Sequence, residues 1–488
     1  MSFAEVVTLV LVRLETAILV YFLAVNLWYA VLLVSASLEM RLHSLHSRGQ
    51  ARWKMLGSRA SPTISMLAPA YGEEATIAES VRALLALYYP NLEIVVVNDG
   101  SRDRQMQVLI DQFELVPIHP VYRRLIPSND VVGLYRSRTH PNLVVADKVN
   151  GGKADALNAG LNLATGELVC AIDADTLIEP DSLQRMVRPF LDSDQVLAVG
   201  GTIRIANGSR VRGGRVVQTS VPRRAIPGFQ TVEYLRAFLF GRLGWNRLGG
   251  NLIISGAFGL FRRDSVLAAG GYAHDTVGED MELVLRLRRH GYETGGPHRI
   301  DFVPDPVAWT EAPETLRVLG RQRDRWHRGL ADVLWRHRGL LFNPYYGAMG
   351  LVAYPYFLLV ELLAPLVEAI GILGLVVGLF MHAVDVPFAI LFFLTAYGLG
   401  ALLTTATLVL EEMTFRRYDT LRDRMLLVAW TLLENCGYRQ LTVWWRLRGL
   451  VSYLRGSKQW GAMERRGFQP KPANAPSRRA DDAPPLVP

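Results

Sequence analysis

The segment "LVCAIDADTLIEP", residues 168–180, places an apolar run directly before two acids, Asp173 and Asp175. The apolar run from Leu168 to Ile172 predicts a buried β-strand. Two carboxylates at the end of such a strand repel each other and lose hydration, which costs free energy unless a partner offsets it. Because side chains two residues apart point the same way along an extended chain, both acids can reach one ligand.

A divalent cation is a partner of the right kind for these two acids. Mg²⁺ and Mn²⁺ prefer oxygen ligands and bind through one or two protein carboxylates together with substrate phosphates. The structural alternative is that Asp175 only caps a helix or stabilises a turn. The segment therefore predicts either a Mg²⁺ or Mn²⁺ site for a phosphate-bearing ligand, or local turn chemistry.

The surrounding sequence repeats this pattern of a strand followed by polar residues. Polar clusters "APAYGEE", "NDGSRD" and "DKVNGGKADALNAG" follow three further apolar runs. The predicted strands are Thr63–Leu67, Glu93–Val97, Leu143–Ala146, Leu168–Ile172 and Val196–Val199, and the predicted helices are Glu74–Leu87, Lys153–Ala164 and Pro180–Phe190. Alternating strands and helices predict a mainly parallel sheet, in which ligands bind at the carboxyl ends of the strands. Each cluster alone is also an ordinary turn, but their coincidence at one edge favours a binding site.

Several cofactor classes are disfavoured by what the sequence does not contain. There is no GxGxxG fingerprint after the first predicted strand and no GxxxxGK[ST] loop, which disfavours nicotinamide chemistry and ATP hydrolysis. The two cysteines, Cys170 and Cys436, lie far apart without a CxxC or Cys/His cluster. A disulfide framework and a structural zinc site are therefore not expected, which fits a reducing compartment.

Composition points to a membrane protein with a soluble part. Half of the 488 residues are hydrophobic, and the formal net charge is +8. Residues 16–37 carry no Lys, Arg, Asp or Glu and match the ~20 residues that cross a bilayer. A cleaved signal peptide is the alternative, but no small-residue cleavage pattern follows. The basic segment after this helix places the next domain in the cytoplasm, and we expect anionic lipid rather than nucleic acid as the partner of the basic residues.

The C-terminal part contains two further apolar regions, 345–383 and about 386–410. Each is expected to contribute at least one crossing, whereas 425–438 is too short and polar to cross comfortably, so three crossings are favoured and a fourth stays open. The following aromatic and basic stretch is typical of interfacial helices. The predicted organisation is an N-terminal transmembrane helix (1–40), a soluble domain (60–340), a membrane region (345–445) with two to three crossings plus interfacial helices, and a basic, partly disordered cytoplasmic tail (446–488).

Seven motifs in order carry a family resemblance: "APAYGEE", "VVVNDGS", "NGGKADALNAG", "DAD", "ISGAFGLFRR", "VGEDMEL" and "QRDRW". This set resembles the family 2 glycosyltransferases of membrane polysaccharide synthesis, which include cellulose, chitin, hyaluronan and poly-N-acetylglucosamine synthases. The resemblance covers about 60–340. It implies a GT-A-type, Rossmann-like α/β domain in the cytoplasm, inserted between N- and C-terminal transmembrane helices, in a multi-pass protein of the cell (inner) membrane.

The resemblance also implies roles for individual residues. The expected site comprises Pro69, Tyr71, Glu73 and Asp99 at the uracil and ribose of a UDP-sugar, Lys153 near the diphosphate, Asp173 at the nucleotide-sugar, Asp175 as ligand of a bridging Mg²⁺ or Mn²⁺, Asp280 as general base, and Gln322, Arg325 and Trp326 over the diphosphate and the acceptor sugar. Asp280 also has a structural alternative, since acids at a helix start favour the helix dipole without catalysis. "QRDRW" is likewise typical of a basic interfacial helix.

The function that the resemblance implies is an inverting, metal-dependent β-glycosyltransferase. It would transfer N-acetylglucosamine or glucose from a UDP-sugar to a growing polysaccharide at the cytoplasmic face. The chemistry asks for a carboxylate to take the proton of the acceptor hydroxyl, and displacement with a single base inverts the anomeric centre. The alternatives are a single transfer to a lipid acceptor and a non-catalytic membrane component of an export or receptor complex. Because three crossings are few for a polymer channel, an export partner subunit or an oligomer is expected to assist translocation.

Overall fold

The computed structural model describes residues 3–47, 61–173, 176–381 and 386–456. Two predictions fall elsewhere: the expected metal ligand Asp175 and most of the predicted tail 446–488 lie outside the described residues.

Most of the strands form one large sheet. The strands are β1 (Ile64–Ala70), β2 (Leu92–Asn98), β3 (Leu115–Ile118), β4 (Val131–Ser137), β5 (Leu143–Lys148), β6 (Leu168–Ile172), β7 (Leu177–Ile178), β8 (Val196–Ile205), β9 (Arg210–Arg212), β10 (Arg215–Gln218), β11 (Phe258–Arg262) and β12 (Arg299–Thr310). Ten of them pair in the order β3-β4-β5-β2-β1-β6-β11-β8-β12-β7, and β9 and β10 form a separate hairpin. This hairpin lies within the arginine-rich segment 204–224.

The sheet is mixed, which corrects the expectation of a mainly parallel sheet. The pairs β1–β2, β2–β5, β1–β6 and β8–β12 are parallel, and the other five pairs are antiparallel. The predicted parallel strands β5, β2, β1 and β6 form an uninterrupted block. Beyond them β11 inserts antiparallel between β6 and β8. The sequence pattern did not indicate this insertion, because β11 is short and gains its place only by pairing with strands distant in the chain.

The helices surround this sheet and continue beyond it. They are α1 (Phe3–Ser47), α2 (Ile77–Leu85), α3 (Gln105–Phe113), α4 (Lys153–Leu163), α5 (Ser182–Asp192), α6 (Ala225–Leu235), α7 (Leu243–Leu248), α8 (Arg263–Ala268), α9 (Glu279–Thr294), α10 (Leu316–Arg336), α11 (Tyr354–Tyr356), α12 (Ala364–Phe380), α13 (Val386–Phe393), α14 (Leu399–Thr414), α15 (Leu421–Leu433) and α16 (Tyr438–Leu454). Wider π-helical turns cover Arg236–Arg242, Met349–Ala353, Phe357–Leu362 and Leu394–Gly398, and 3-10 turns cover Arg338–Leu340 and Pro344–Tyr346.

Two apolar clusters cover the two faces of the sheet. Along β6, Cys170 packs into one cluster, while its neighbours Val169 and Ala171 pack into the other. The first cluster includes residues of α2 and α5, and the second includes the buried face of α4. Because both faces are covered, the central strands are apolar at most positions instead of alternating.

The N-terminal helix has the length and composition of a membrane span. Within the described residues, Leu9–Leu45 is largely apolar and long enough to cross a bilayer. A second candidate exists if Met349–Leu362 and Ala364–Phe380, bent by 41°, form one span. The predicted crossing over about 386–410 is not among these candidates, and the number of crossings stays a prediction.

Acidic residues that interrupt the C-terminal apolar region have basic partners on α16. Glu368 accepts hydrogen bonds from Arg439 at 3.0 and 3.2 Å, and Glu361 lies 3.6 Å from Arg446. Pairing reduces the free energy that an isolated charge in an apolar region would cost. These contacts attach α16 to the segment that precedes and includes α12.

Candidate active site

The polar clusters that follow the parallel strands meet at one edge of the sheet. The register aligns Ala70 of β1 with Asn98 of β2, and Asn98 with Asp147 of β5. Asn98 donates to the Asp147 carboxylate at 2.7 Å and accepts a hydrogen bond from Gln105 at 2.7 Å. Parallel pairing therefore brings together the loops that the sequence separates by many residues.

Asp99 is the centre of a buried polar network at this edge. Its Oδ1 accepts hydrogen bonds from Lys148 Nζ at 2.6 Å and from the Gly151 amide at 3.0 Å, and its Oδ2 accepts one from the Gly152 amide at 2.8 Å. Lys148 also lies 2.5 Å from the Asp155 carboxylate. The Asp99 side chain is only 5% exposed. Asp99 thus holds the glycine loop that leads into α4, and its predicted nucleotide contact stays a prediction.

Hydrogen bonds connect the loop after β1 to the residues that follow β2. The Gly72 amide donates to Ser101 Oγ at 2.8 Å, and the Glu73 amide donates to Gln105 Oε1 at 2.9 Å. Gly72 has a φ of +72°, a conformation that favours glycine. This turn leaves Tyr71 54% exposed, so its ring is accessible to a ligand.

Pro69 lies in β1, where it pairs with Val97 of β2 and is half-buried. Pro69 therefore lies at the end of β1, directly before the loop that contains Tyr71 and Gly72. The structure brings Pro69, Tyr71 and Glu73 to the sheet edge where β2 and β5 end.

Lys153 and Asp173 form an ion pair where α4 begins and β6 ends. Lys153 Nζ lies 2.6 Å from Asp173 Oδ1 and 3.7 Å from Glu279 Oε1. Burial opposes the charge on Lys153, but the attraction of these carboxylates outweighs it and raises the pKa of Lys153. Burial raises the pKa of Glu279, and Lys153 acts in the opposite direction. A cation held beside two carboxylates suits a site in which a ligand's negative charge can replace one of them.

Asp280 stands in the first turn of α9 beside this pair. Its Oδ1 accepts a hydrogen bond from the Met281 amide at 2.8 Å, and its Oδ2 accepts one from the Gly256 amide at 3.1 Å. A Cβ added at Gly256 would lie 3.3 Å from Asp280 Oδ2 and 3.4 Å from Lys153 Nζ. Gly256 therefore lies between the basic and the acidic group, and the backbone fixes the orientation of the Asp280 carboxylate.

A half-buried arginine, Arg242, adds positive charge near Asp280. Arg242 ends the π-helical turn Arg236–Arg242 and donates to the Ile253 carbonyl at 3.0 Å. Burial lowers the pKa of Arg242 to about 10, while attraction by Asp280 acts in the opposite direction. At neutral pH Arg242 is therefore charged. π-helical turns are frequent at functional sites.

The "QRDRW" motif lies in α10, which packs against the start of α9. Gly278 and Gly329 make this approach possible, because a Cβ at Gly278 would lie 3.1 Å from the Gly329 Cα. Trp326 is 41% exposed, and Arg325 is half-buried. Gln322 is buried, and its Oε1 has no hydrogen-bond partner within the described residues. A buried acceptor of this kind suits a ligand that donates a hydrogen bond.

One of the two expected carboxylates near a divalent metal, Asp173, lies within the described residues. No group of three or more His, Cys, Asp or Glu side chains that could hold a metal ion is present in the part of the chain that the structure describes. The Asp173 side chain is 27% exposed. Asp175, two residues later in the chain, lies outside the described residues. Two carboxylates completed by substrate phosphates are the usual protein contribution to Mg²⁺ binding, so the residues fit a metal that binds together with its substrate.

Sequence reasoning missed several residues of this arrangement, namely Lys148, Asp155, Arg242 and Glu279. Lys148 and Asp155 lie within the "DKVNGGKADALNAG" cluster. The cluster therefore indicates both residues, but it does not indicate that their side chains form an ion pair. Glu279 directly precedes Asp280, and its sequence position indicates only an acid at a helix start, which favours the helix dipole. Nothing in the local sequence around Arg242 indicates its proximity to Asp280.

Comparisons with known proteins agree with the motif pattern. Residues 62–329 match the family model described as "Glycosyltransferase like family 2". The chain is 30% identical over 273 residues to a poly-beta-1,6-N-acetyl-D-glucosamine synthase of Staphylococcus epidermidis, a match that covers 56% of each protein. It is 29% identical over 274 residues to a protein of the same name from Staphylococcus aureus, again covering 56% of each. The chain thus matches about half the length of these curated relatives.

Two solved structures show similar chains at low identity. A mannosyltransferase from Pyrobaculum calidifontis, in complex with GDP-Man and Mn²⁺, has 19% identity and a TM-score of 0.49, with 89% of this chain and 99% of that chain covered. Staphylococcus aureus TarS 1–349 has 14% identity and a TM-score of 0.37, with 81% and 92% covered. These values are too low to assign a function.

Proposed function

The chain belongs to the glycosyltransferase-like family 2, and from this premise we propose that it is an inverting hexosyltransferase that extends a polysaccharide. The donor is a UDP-sugar, N-acetylglucosamine or glucose, and the product is a β-linked chain. The observation that carries the proposal is the position of Gly256 between the Lys153 ammonium group and the Asp280 carboxylate. A leaving diphosphate needs positive charge and an acceptor hydroxyl needs a base, and these two groups stand side by side.

Asp280 acts as the general base in this proposal. The amides of Met281 and Gly256 each donate to one of its carboxylate oxygens, which holds the group in one orientation. The acceptor hydroxyl gives its proton to Asp280 while its oxygen attacks the anomeric carbon. The bond from that carbon to the diphosphate oxygen breaks, and UDP leaves with the electron pair. One displacement inverts the configuration, so an α-linked donor gives a β-linked product.

Lys153 stabilises the charge that develops on the diphosphate. In the described structure its ammonium group is held by Asp173 and Glu279. A diphosphate competes with these carboxylates for Lys153, so donor binding moves the cation toward the leaving group. Asp99 anchors the short glycine loop that precedes Lys153, because it accepts hydrogen bonds from the amides of Gly151 and Gly152.

Asp175 would hold a Mg²⁺ or Mn²⁺ ion together with the donor phosphates, and Asp173 would contact the nucleotide-sugar. The bound ion supplies charge stabilisation for the diphosphate as it leaves. Gln322, Arg325 and Trp326 are assigned to the diphosphate and the acceptor sugar. The exposed face of Trp326 offers a stacking surface, and the unpartnered Gln322 Oε1 can accept a hydrogen bond from a sugar hydroxyl.

We further assign the catalytic domain to residues 60–340 and to the cytoplasmic face of the cell membrane. The N-terminal helix is one span, the region 345–445 supplies the others together with interfacial helices, and 446–488 forms a cytoplasmic tail. Supporting this, Phe380, Leu373 and Leu402 are 84%, 63% and 63% exposed, as lipid-facing residues would be. Anionic lipid is the expected membrane partner, and an export subunit or a second copy is expected to assist translocation.

The test is a donor screen on the purified protein in detergent or nanodiscs. UDP release is measured with UDP-N-acetylglucosamine, UDP-glucose and a GDP-sugar, each with Mg²⁺, with Mn²⁺ and with a chelator. The proposal expects metal-dependent UDP release and a radiolabelled product of many sugars. A product that contains one sugar on a lipid would replace polymerisation by single transfer. If every donor and metal combination gave no UDP release, the catalytic proposal would be wrong.

A further inference from the structure

A small apolar cavity opens directly beside the proposed reaction centre. It comprises about 300 Å³ of empty space, and this volume includes open solvent. Its polar lining includes Lys153, Ser255, Glu279 and Asp280. Its apolar walls come from Leu157, Ala171, Ile254 and Phe261. The four apolar side chains are 1–5% exposed, so this niche is built into the core of the domain.

Three elements of the fold contribute walls to the niche. Leu157 lies on α4, one turn after Lys153, Ala171 lies on β6 just before Asp173, and Phe261 lies on β11. All four wall residues belong to the same buried apolar cluster. The elements that position the diphosphate group and the nucleotide-sugar contact therefore also shape the niche.

The chemistry of the donor indicates which part of it can reach this niche. In the displacement, the anomeric carbon C1 lies between the attacking hydroxyl at Asp280 and the departing diphosphate at Lys153. The substituent on C2 is attached to the neighbouring carbon, so it lies within a few bonds of both groups. A hydroxyl there gains nothing from apolar walls, because burying it without a hydrogen bond costs free energy. An acetamido group ends in a methyl, which such walls favour.

We propose that this niche receives the methyl of a C2 acetamido group and so selects a UDP-N-acetylhexosamine as the donor. The inference rests on the proposed glycosyltransfer and adds the residues that decide between N-acetylglucosamine and glucose. The enclosed part of the niche has room for about one group the size of a water molecule. A methyl is somewhat larger than a water molecule, so it enters the niche when the wall side chains move slightly, and a longer acyl chain requires a larger displacement.

The test uses a donor with one additional carbon, UDP-N-propanoylglucosamine. Leu157→Ala removes a wall of the niche, and Leu161→Ala makes the same change one turn further along α4, within the same apolar cluster but away from the niche. Initial rates are measured for each variant with the propanoyl donor, UDP-N-acetylglucosamine and UDP-glucose. Leu157→Val accompanies them because it is a smaller change than Leu157→Ala, and thermal unfolding is recorded for all variants.

The wild type is expected to prefer UDP-N-acetylglucosamine over both other donors by roughly 10-fold or more, as is usual for recognition of small apolar groups. Leu157→Ala should shift the ratio of propanoyl to acetyl rates by about 10-fold, Leu157→Val by less, and Leu161→Ala should leave it unchanged.

Other outcomes separate the niche from the overall activity. If the wild type uses UDP-N-acetylglucosamine but the Leu157 and Leu161 variants give the same rate ratios, the niche assignment is wrong and the glycosyltransferase proposal stands. A wild type that prefers UDP-glucose overturns the niche assignment as well. If the wild type transfers none of the three sugars, the proposed function itself fails.

Discussion

Asp99→Asn is the substitution for which the structure makes the sharpest prediction. Every hydrogen-bond partner of the Asp99 carboxylate is a donor: Lys148 Nζ and the Gly151 amide face Oδ1, and the Gly152 amide and Asn150 Nδ2 face Oδ2. An asparagine amide presents an NH₂ group to one of these positions in either orientation. A donor then faces a donor in a site that is almost closed to water, so at least one buried hydrogen bond is lost.

The magnitude follows from the burial of the ion pair. Removing one partner of a buried ion pair costs about 3–5 kcal/mol. Lys148 keeps Asp155 as a second partner at 2.5 Å, which places the expected loss near the lower end, at about 3 kcal/mol. The loop that leads to Lys153 loosens at the same time. We therefore expect KM for the UDP-sugar to rise more than kcat falls.

The assay combines thermal unfolding with donor kinetics. The control is Asp130→Asn, because Asp130 pairs with Arg124 on the surface with 83% of its side chain exposed. This control should change stability by less than about 0.5 kcal/mol. Lys148→Met and the double variant complete a cycle, in which we expect a coupling of about 1–3 kcal/mol between Asp99 and Lys148.

One result would refute the reasoning. If Asp99→Asn unfolded at the wild-type temperature while KM alone increased, Asp99 would be a direct ligand contact, and the loop-anchoring role would be wrong. A coupling near zero in the cycle would likewise show that the contact with Lys148 does not contribute to stability.

Three further predictions concern other charged groups. Asp280→Asn should lower sugar transfer by roughly 10²–10⁴-fold with UDP binding unchanged; comparable loss of UDP binding would contradict the base assignment. Burial opposes the charge of Glu282, but the His337 ring 3.5 Å away and hydrogen bonds from Arg286 outweigh it and lower the pKa of Glu282 to about 2. Because a lowered pKa stabilises the fold above the ordinary value of 4.5, unfolding measurements should show this stabilisation lost as pH falls from about 4.5 toward 2, and Glu282→Gln should remove that dependence. Glu411→Gln should cost about 3–5 kcal/mol because it leaves the fully buried Arg204 without its partner at 2.5 Å, whereas replacing both residues by apolar ones should recover most of the loss in thermal unfolding.

Local pattern was sufficient for the central strands but not for the edges of the sheet. β1, β2, β5 and β6 carry continuous apolar runs, and each was predicted because a strand buried on both faces leaves such a run. β12 was not predicted, since "RIDFVPDPVAWT" contains two prolines that argue against a strand inside a sheet. The structure accommodates them through register shifts between Val303 and Pro306 and between Pro306 and Ala308.

The candidate site likewise contains residues that local motifs indicate and contacts that only the fold produces. Lys153, Asp173 and Asp280 could be named from motifs, because reactive groups of this kind stand in short, recognisable stretches. The contact of Lys153 with Glu279 could not be named, since the two residues lie far apart in the chain and meet only when α9 packs against the sheet. The pairing of Lys148 with Asp99 and Asp155 also depends on the register between β2 and β5.

The sequence by itself determined the order of strands and helices in the first half of the domain, the apolar N-terminal helix and the family to which the motifs point. These features depend on neighbours in the chain, where hydrophobic periodicity and turn chemistry act. Only the tertiary structure decided the mixed direction of the strands, the enclosure of Asp99 by donors and the apolar niche beside Asp280. Each of these depends on side chains that are distant in sequence and become neighbours through packing, which a local pattern does not encode. In "LVCAIDADTLIEP" the sequence pattern alone indicates the two acids as candidate ligand-binding residues. The ion pair of Asp173 with Lys153 forms only in the folded chain.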